Sequence, residues 1–248
     1  MKAKFPVLVV VPSYNESENI GSLIEGLLAT DPAIDVLVVD DNSPDGTADI
    51  VEKISGYNKR LFLIIRKKKD GRGGAVLDGF RWGLKSKKNY QYFFEMDADF
   101  SHKPSEIPAF IKHAENHDVV VGSRYMKGSN IIGWPLNRKV FSKLANIYTR
   151  FLLRIPITDY TNGFRLYKRT VLERLNFDAI EKSGYIVLSE IAFQIHLVGF
   201  DIGEIPTVFV NRQRGLSNLS ISEVTSALHS VFRLSTRRNK IRKALNLN

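Results

Sequence analysis

Short apolar runs, each closed by a polar motif and followed by an amphipathic stretch, constrain this chain more than any other feature. Residues 7–11 (VLVVV) form an unbroken apolar run, the pattern of a strand buried on both faces. Runs at 36–39, 61–65, 92–96 and 119–121 repeat the theme. Helical patterns lie between them. Ile20, Leu23, Ile24, Leu27 and Leu28 predict a helix capped by Ser17, and another helix is expected near 46–54. A flexible loop at Gly71–Gly74 should precede a helix ending at Leu84, and Pro104 suits the first position of the next. This alternation predicts an α/β fold with a mostly parallel, Rossmann-like sheet covered by helices on both faces.

The second half is less regular. Residues 137–153 read as a helix in which Val140, Leu144, Ile147 and Phe151 keep helical spacing, while Phe141, Tyr148 and Leu152 widen the stripe. Such a stripe can pack on the sheet, or touch lipid if the helix lies at the domain edge. Residues 202–210 read as a strand tolerating Pro206 at an edge, and 220–234 as a closing helix. The basic run from Arg233 to Lys243 is either helical or a frayed tail.

The 248 residues suit one domain, without repeat or linker. With no cysteine, disulfides and thiolate metal sites are excluded. No apolar run approaches the roughly 20 residues that span a bilayer. The N-terminal lysines and apolar stretch superficially resemble a signal peptide, but lead directly into Pro12-Ser13-Tyr14-Asn15-Glu16 and read as the first strand. A net charge of +10, concentrated at 66–72, 138–154 and 233–243, fits solubility, an anionic membrane surface, a phosphate-bearing substrate or nucleic acid.

Ligands of open parallel sheets bind beyond the carboxyl ends of the strands. Three polar motifs fall there: residues 12–16, the Asp40–Thr47 segment and Asp97-Ala98-Asp99. Carboxylates on alternate residues at a strand end can share a hard divalent ion, which in turn neutralises phosphate oxygens; turn and cap chemistry is the plainer reading. Asp40 and Asp41 follow four apolar residues, where unpaired carboxylates are costly, and nucleotide donors would suit Asp41. Lys69 to Gly74 lacks the Walker spacing, and the five histidines show no metal-ligand spacing. His196 reads as a packing residue, and Glu190 on the same helix as a candidate support for the site.

The motifs at 11–16 (VPSYNE), 38–47 (VVDDNSPDGT), 96–99 (MDAD) and 122–125 (GSRY) together resemble family 2 glycosyltransferases of the GT-A fold. With Asn162-Gly163-Phe164-Arg165, Glu204-Ile205-Pro206 and the 212–217 segment, the chain more narrowly resembles the dolichol- and polyprenol-phosphate mannose synthases, over roughly residues 5–225. The resemblance implies that Pro12, Tyr14, Glu16, Val39, Asp41 and Ala98 hold the nucleotide-sugar donor, while Asp97 and Asp99 bind Mg²⁺ or Mn²⁺ beside its diphosphate. Arg212 would close over the donor, and Asn218 stands where many relatives carry a lysine. Ser101 stands where some relatives have a glutamine near the metal.

Arg138 and Ser142 lie four residues apart and so share a helix face, expected to flank the apolar stripe. That face suits either solvent or a phosphate. The resemblance makes Arg124, Arg138 and Ser142 the acceptor-phosphate ligands, with Asp99, Arg124 and Arg138 central to catalysis. It divides the chain into a nucleotide-sugar half (1–125), an acceptor half (126–235) and a basic tail (236–248) within one GT-A domain. The implied reaction is inverting transfer of mannose from GDP-mannose to a dolichyl or polyprenyl phosphate. UDP-glucose as donor, or a saccharide acceptor, are the alternatives. A lipid monophosphate is already ionised, so no general base is needed. The expected partners are the donor, the lipid phosphate and the cytoplasmic face of a membrane, reached peripherally or through a separate membrane subunit. No nucleic acid is expected, since the strand ends are acidic.

Overall fold

The computed structural model describes residues 5–67, 71–181, 186–211 and 221–247, with 221–227 as backbone only. Arg212 and Asn218 therefore lie outside the described residues. The first half runs β1 (Val7–Ser13), α1 (Ile20–Thr30), β2 (Ile34–Asp40), α2 (Thr47–Ser55), β3 (Leu61–Ile65), α3 (Gly71–Lys85), β4 (Tyr92–Glu95), a 3₁₀ turn (Pro104–Glu106), α4 (Ile107–His113) and β5 (Val119–Ser123). The second runs β6 (Asn130–Ile132), α5 (Leu136–Leu153), β7 (Arg165–Lys168), α6 (Arg169–Leu172), α7 (Ile186–Val198), β8 (Ile202–Pro206), β9 (Val208–Val210), α8 (Ile221–Thr236) and α9 (Arg238–Ala244).

Seven strands form one sheet in the order β3-β2-β1-β4-β7-β5-β8. All neighbours are parallel except β7, which runs against both β4 and β5. Every residue of β1 and β2 is buried, because helices cover both faces. One face packs against α1, α2 and α4 and the other against α3 and α7. A third cluster joins Leu153 of α5 to Phe193 of α7, Leu234 of α8 and Ile241 of α9.

Sequence and structure differ at four places. Gly71–Gly74 is the first turn of α3, not a loop, because the Asp41 carboxylate accepts the Gly71 N–H at 3.1 Å and anchors the helix start. Glycine serves packing further along this helix: a Cβ at Gly83 would come within 2.5 Å of Leu8 and Phe93. Ser17 does not cap α1. Its N–H goes to Asp45 Oδ2, and the Glu16 carbonyl accepts from Asn19 and Ile20 in the turn before the helix. The 202–210 stretch is two strands, since the chain leaves the main sheet after Pro206, at its edge, to pair β9 with β6. The four-residue β7, with a cation at each end, gave no strand signal at all. In the basic run the helical reading holds: Arg238–Ala244 forms α9 and buries Ile241, with Arg238 donating to the Leu153 carbonyl at 3.1 Å.

α5 is turned inside out. Its buried residues are Asn146, Thr149 and Leu153. Leu136, Val140, Phe141, Leu144, Ile147 and Phe151 all face outward, with Leu136 75% and Phe151 78% exposed. The inward polar groups are satisfied: Asn146 donates to the Ser142 carbonyl and accepts from the Tyr160 N–H, and Thr149 donates to the Ala145 carbonyl. Among the described residues no helix is long and apolar enough to cross a membrane.

Candidate active site

The chain runs from β1 outward through β2 to β3, then returns to β4 on the other side of β1. The carboxyl ends of β1 and β4 thus flank the point where strand order reverses, the place where such sheets leave a crevice. Pro12 lies near the end of the β1 ladder, beside Val39, and Tyr14 and Glu16 follow the strand; Asp97, Ala98 and Asp99 follow β4. Because β7 is antiparallel, the 158–164 segment before it lies on the same side. That inversion brings in a set of residues the strand-end rule does not reach.

At the end of β2 the two aspartates look inward. Asp40 accepts from Ser13 Oγ, Ser43 N and Ser43 Oγ, all at 2.7 Å, tying the β2 loop to β1. Asp41 pairs with Arg66 at 2.6 Å and caps α3. Its carboxylate therefore already organises the crevice wall. Val39 is wholly buried, and Tyr14 is 38% exposed at the rim.

Asp97 and Asp99 stand half-buried at the end of β4. Among the described residues no group of three or more His, Cys, Asp or Glu could hold a metal. Two carboxylates still fit Mg²⁺ or Mn²⁺, which is commonly bound by one or two of them, with phosphate and water oxygens completing the shell. Asp99 Oδ1 accepts the Ser101 N–H at 3.0 Å. Asp97 Oδ1 is held by Arg72 Nε at 2.5 Å. Arg72 also bonds the buried Glu95 at 2.9 Å and the Gly163 carbonyl at 3.1 Å. Glu95 in turn accepts from Tyr167 at 2.6 Å. Burial works against the Arg72 charge, but Asp97 and Glu95 outweigh it and raise the pKa further.

His102 lies beneath this pair, stacked on Phe164 with centroids 4.3 Å apart. Its Nε2 bonds Asn162 Oδ1 at 2.8 Å, and the Asn162 amide donates to the Gly122 carbonyl, so Nε2 carries the proton. Burial pushes the ring pKa down to about 4 despite the pull of Asp97, so the ring is neutral near pH 7.

Arg124, at the end of β5, is clamped by Asp159 through Nε at 2.7 Å and Nη2 at 2.8 Å, and reaches Thr161 at 2.6 Å. Burial alone would raise the Asp159 pKa; the guanidinium outweighs it and holds the acid below its ordinary value. Around Arg124 stand Tyr125, Trp134 and Phe209, with ring centroids 5.4 to 5.6 Å away. Arg138 lies 4.1 Å from the centroid of one of these rings, Trp134. Tyr125 donates to Ser142 Oγ at 2.6 Å. The structure therefore brings Arg124, Arg138 and Ser142 together around shared aromatic rings.

The sequence profile of glycosyl transferase family 2 matches residues 8–175, more than half of the chain. The chain belongs to glycosyl transferase family 2. It is 38% identical to an undecaprenyl-phosphate mannosyltransferase of Micrococcus luteus over 243 residues, covering 97% of this chain and 99% of the relative. A polyprenol monophosphomannose synthase of Mycolicibacterium smegmatis is also 38% identical, covering 90% and 84%. Among solved structures, glucosyl-3-phosphoglycerate synthase from Mycobacterium tuberculosis with Mn²⁺, UDP and glucosyl-3-phosphoglycerate superposes with a TM-score of 0.68 at 18% identity, covering 95% and 80%. A mannosyltransferase from Pyrobaculum calidifontis with GDP-Man and Mn²⁺ gives 0.58 at 17%, covering 98% and 77%. These likenesses establish the GT-A fold of this glycosyltransferase.

Several residues of the candidate site escape a reading of strand ends. Arg72 and Glu95 flank the two aspartates, Asp159 and Asn162 come from the segment before β7, and Trp134 and Phe209 come from elements with weak signals. The acidic Asp159 within Thr158-Asp159-Tyr160-Thr161-Asn162 is the one local cue. Arg165, in the recognised motif, is wholly structural here: buried, it donates to the carbonyls of Tyr160, Asn162 and Leu188. Glu190 accepts the Glu181 N–H at 2.8 Å, and its burial raises its pKa.

Proposed function

We propose that this glycosyltransferase transfers mannose from GDP-mannose to a polyprenyl monophosphate, inverting the sugar carbon. The carrying observation is the two-sidedness of α5. Its inner face bears Arg138, which shares the Trp134 ring with Arg124, and Ser142, which bonds Tyr125, while its outer face is a bare apolar stripe bordered by Lys139, Lys143 and Arg150. Arg138 and Ser142 lie on the buried side rather than at the margin of the stripe. One helix thus offers cations to a phosphate and an apolar surface to a membrane. The relatives that match nearly end to end bear names built on the same acceptor chemistry.

In this reading residues 1–125 supply the donor half, 126–235 the acceptor half, and 236–248 a basic tail at the C-terminus. Asp97 and Asp99 would hold Mg²⁺ or Mn²⁺, which offsets the charge of the departing diphosphate. Arg72 fixes the Asp97 carboxylate in place. Arg124 and Arg138 orient the lipid phosphate, whose ionised oxygen attacks the anomeric carbon as the bond to GDP breaks. No proton has to be removed from that nucleophile, so positioning and charge stabilisation carry the step. The chain meets the membrane peripherally through α5.

The test is a panel of GDP- and UDP-sugars with Mg²⁺ or Mn²⁺, read as labelled lipid product. GDP-mannose should be the productive donor. Asp99→Ala should lower turnover by roughly 10³-fold while the protein stays folded. Arg138→Ala should raise the KM for lipid phosphate more than that for donor. Near-normal turnover of Asp99→Ala would remove the metal role, and equal KM losses in Arg138→Ala would remove the acceptor role.

A further inference from the structure

Trp134 sits where the two arginines of the acceptor site meet. The Arg138 guanidinium carbon is 4.1 Å from its ring centroid and that of Arg124 5.4 Å, and Phe209 packs against it at 5.1 Å, close to edge-on. The side chain is only 9% exposed, and its Nε1–H is shielded from solvent with no hydrogen-bond acceptor among the described residues. An indole nitrogen can only donate, and so can a guanidinium, so neither arginine can satisfy it. A buried donor left unsatisfied is costly, and native proteins seldom keep one without a use.

The placement of the ring is built in. Gly133, at a φ of +80°, takes a backbone conformation that suits glycine, and a Cβ there would come within 3.0 Å of the Asn211 Cβ. The Asn211 N–H donates to the Ile132 carbonyl at 2.9 Å, continuing the β6–β9 ladder to the residue before the turn. Pro135 then fixes the start of α5. Trp134 is thereby held between two short strands and a helix, with a bare donor beside two cations. The ligand chemistry that matches a lone indole donor flanked by guanidinium charge is an oxyanion.

We infer that Trp134 is a binding residue for the acceptor: its Nε1–H donates to an oxygen of the phosphate monoester that Arg124 and Arg138 attract. The inference rests on the acceptor reading given above. Arg138 reaches the ring on a flexible stem, so a phosphate that draws the guanidinium toward itself opens the approach to the indole. The rigid ring then fixes the phosphate at an angle that two flexible arginines cannot define alone.

The experiment uses the full chain labelled with ¹⁵N. Its two tryptophans, Trp82 and Trp134, give two indole N–H signals, assigned with Trp134→Phe. Trp82 packs on Phe62 of β3, at the opposite edge of the sheet from β8, and serves as the internal reference. On titration with a soluble short-chain isoprenyl monophosphate, the Trp134 indole proton should move downfield to saturation while Trp82 stays in place. Trp134→Phe keeps an aromatic ring and should raise the KM for lipid phosphate about tenfold, the weight of one hydrogen bond to a charged group, with the donor KM unchanged. Binding detected at other resonances without movement of Trp134 would overturn this inference and leave the acceptor site standing. An equal shift with the isoprenyl alcohol of the same length would overturn it too, since the ring would then sense the chain and not the phosphate. No binding of the monophosphate at all would remove both the inference and the acceptor reading.

Discussion

Gly163 shows how one missing side chain sets the charge of the crevice. A Cβ at this position would collide with the Arg72 guanidinium, which bonds the Gly163 carbonyl on its way to Glu95 and Asp97. Gly163→Ala should therefore expel Arg72 and destabilise the fold by about 1–3 kcal/mol, the range for overpacking. Combining it with Arg72→Ala should recover part of that loss, because the clash disappears. Denaturant unfolding of the four-protein cycle measures this, and strictly additive losses would rule out the contact. Asn162-Gly163-Phe164-Arg165 was legible as a motif, but the tasks of its members were not. Asn162 orients His102 and Gly163 admits Arg72, both through partners distant in sequence, while Arg165 binds the nearby carbonyls of Tyr160 and Asn162 and the distant one of Leu188.

α5 carries its message in the contrast between its faces. The 3.6-residue spacing of its apolar positions was plain, and the same spacing fits a core helix equally well. Burial alone separates the two, and it shows the stripe outside. Replacing Leu144 and Phe151, 58% and 78% exposed, by glutamate should change folding stability by less than about 0.5 kcal/mol each. The same changes should lower binding to vesicles containing anionic lipid at least about tenfold, from lost apolar burial and added like charge. Co-sedimentation with such vesicles checks this; unaltered binding would move the membrane contact elsewhere. α3 makes the converse point. Its glycine-rich start reads as a loop by propensity, and a capping carboxylate from Asp41, just after β2, overrides that reading.

The whole molecule should respond to acid through His102. Its ring titrates at about 4 in the fold against an ordinary 6.5. Between these values the unfolded chain holds the proton and the folded chain does not. The contribution to stability is thus complete above 6.5 and is lost as pH falls toward 4, by on the order of 3 kcal/mol. Denaturant midpoints at pH 7 and pH 4.5 should differ less for His102→Gln than for the unaltered chain. An identical pH slope in both would show that the ring titrates freely. The neutral ring lies under the aspartates because three segments, after β4, after β5 and before β7, meet at one end of the sheet.

The order of apolar runs and helical periods, and the polar motifs at strand ends, determined the α/β class, the parallel half of the sheet and the aspartates at 97 and 99. These are local signals, written in residues a few positions apart. Tertiary structure decided what required distant partners: the antiparallel β7, the exposure of the α5 stripe, the Arg124–Asp159 clamp and the Arg72 bridge. Periodicity states that a face is apolar, and a strand end states that a group is polar. What each of them meets depends on segments that only chain folding brings within bonding distance.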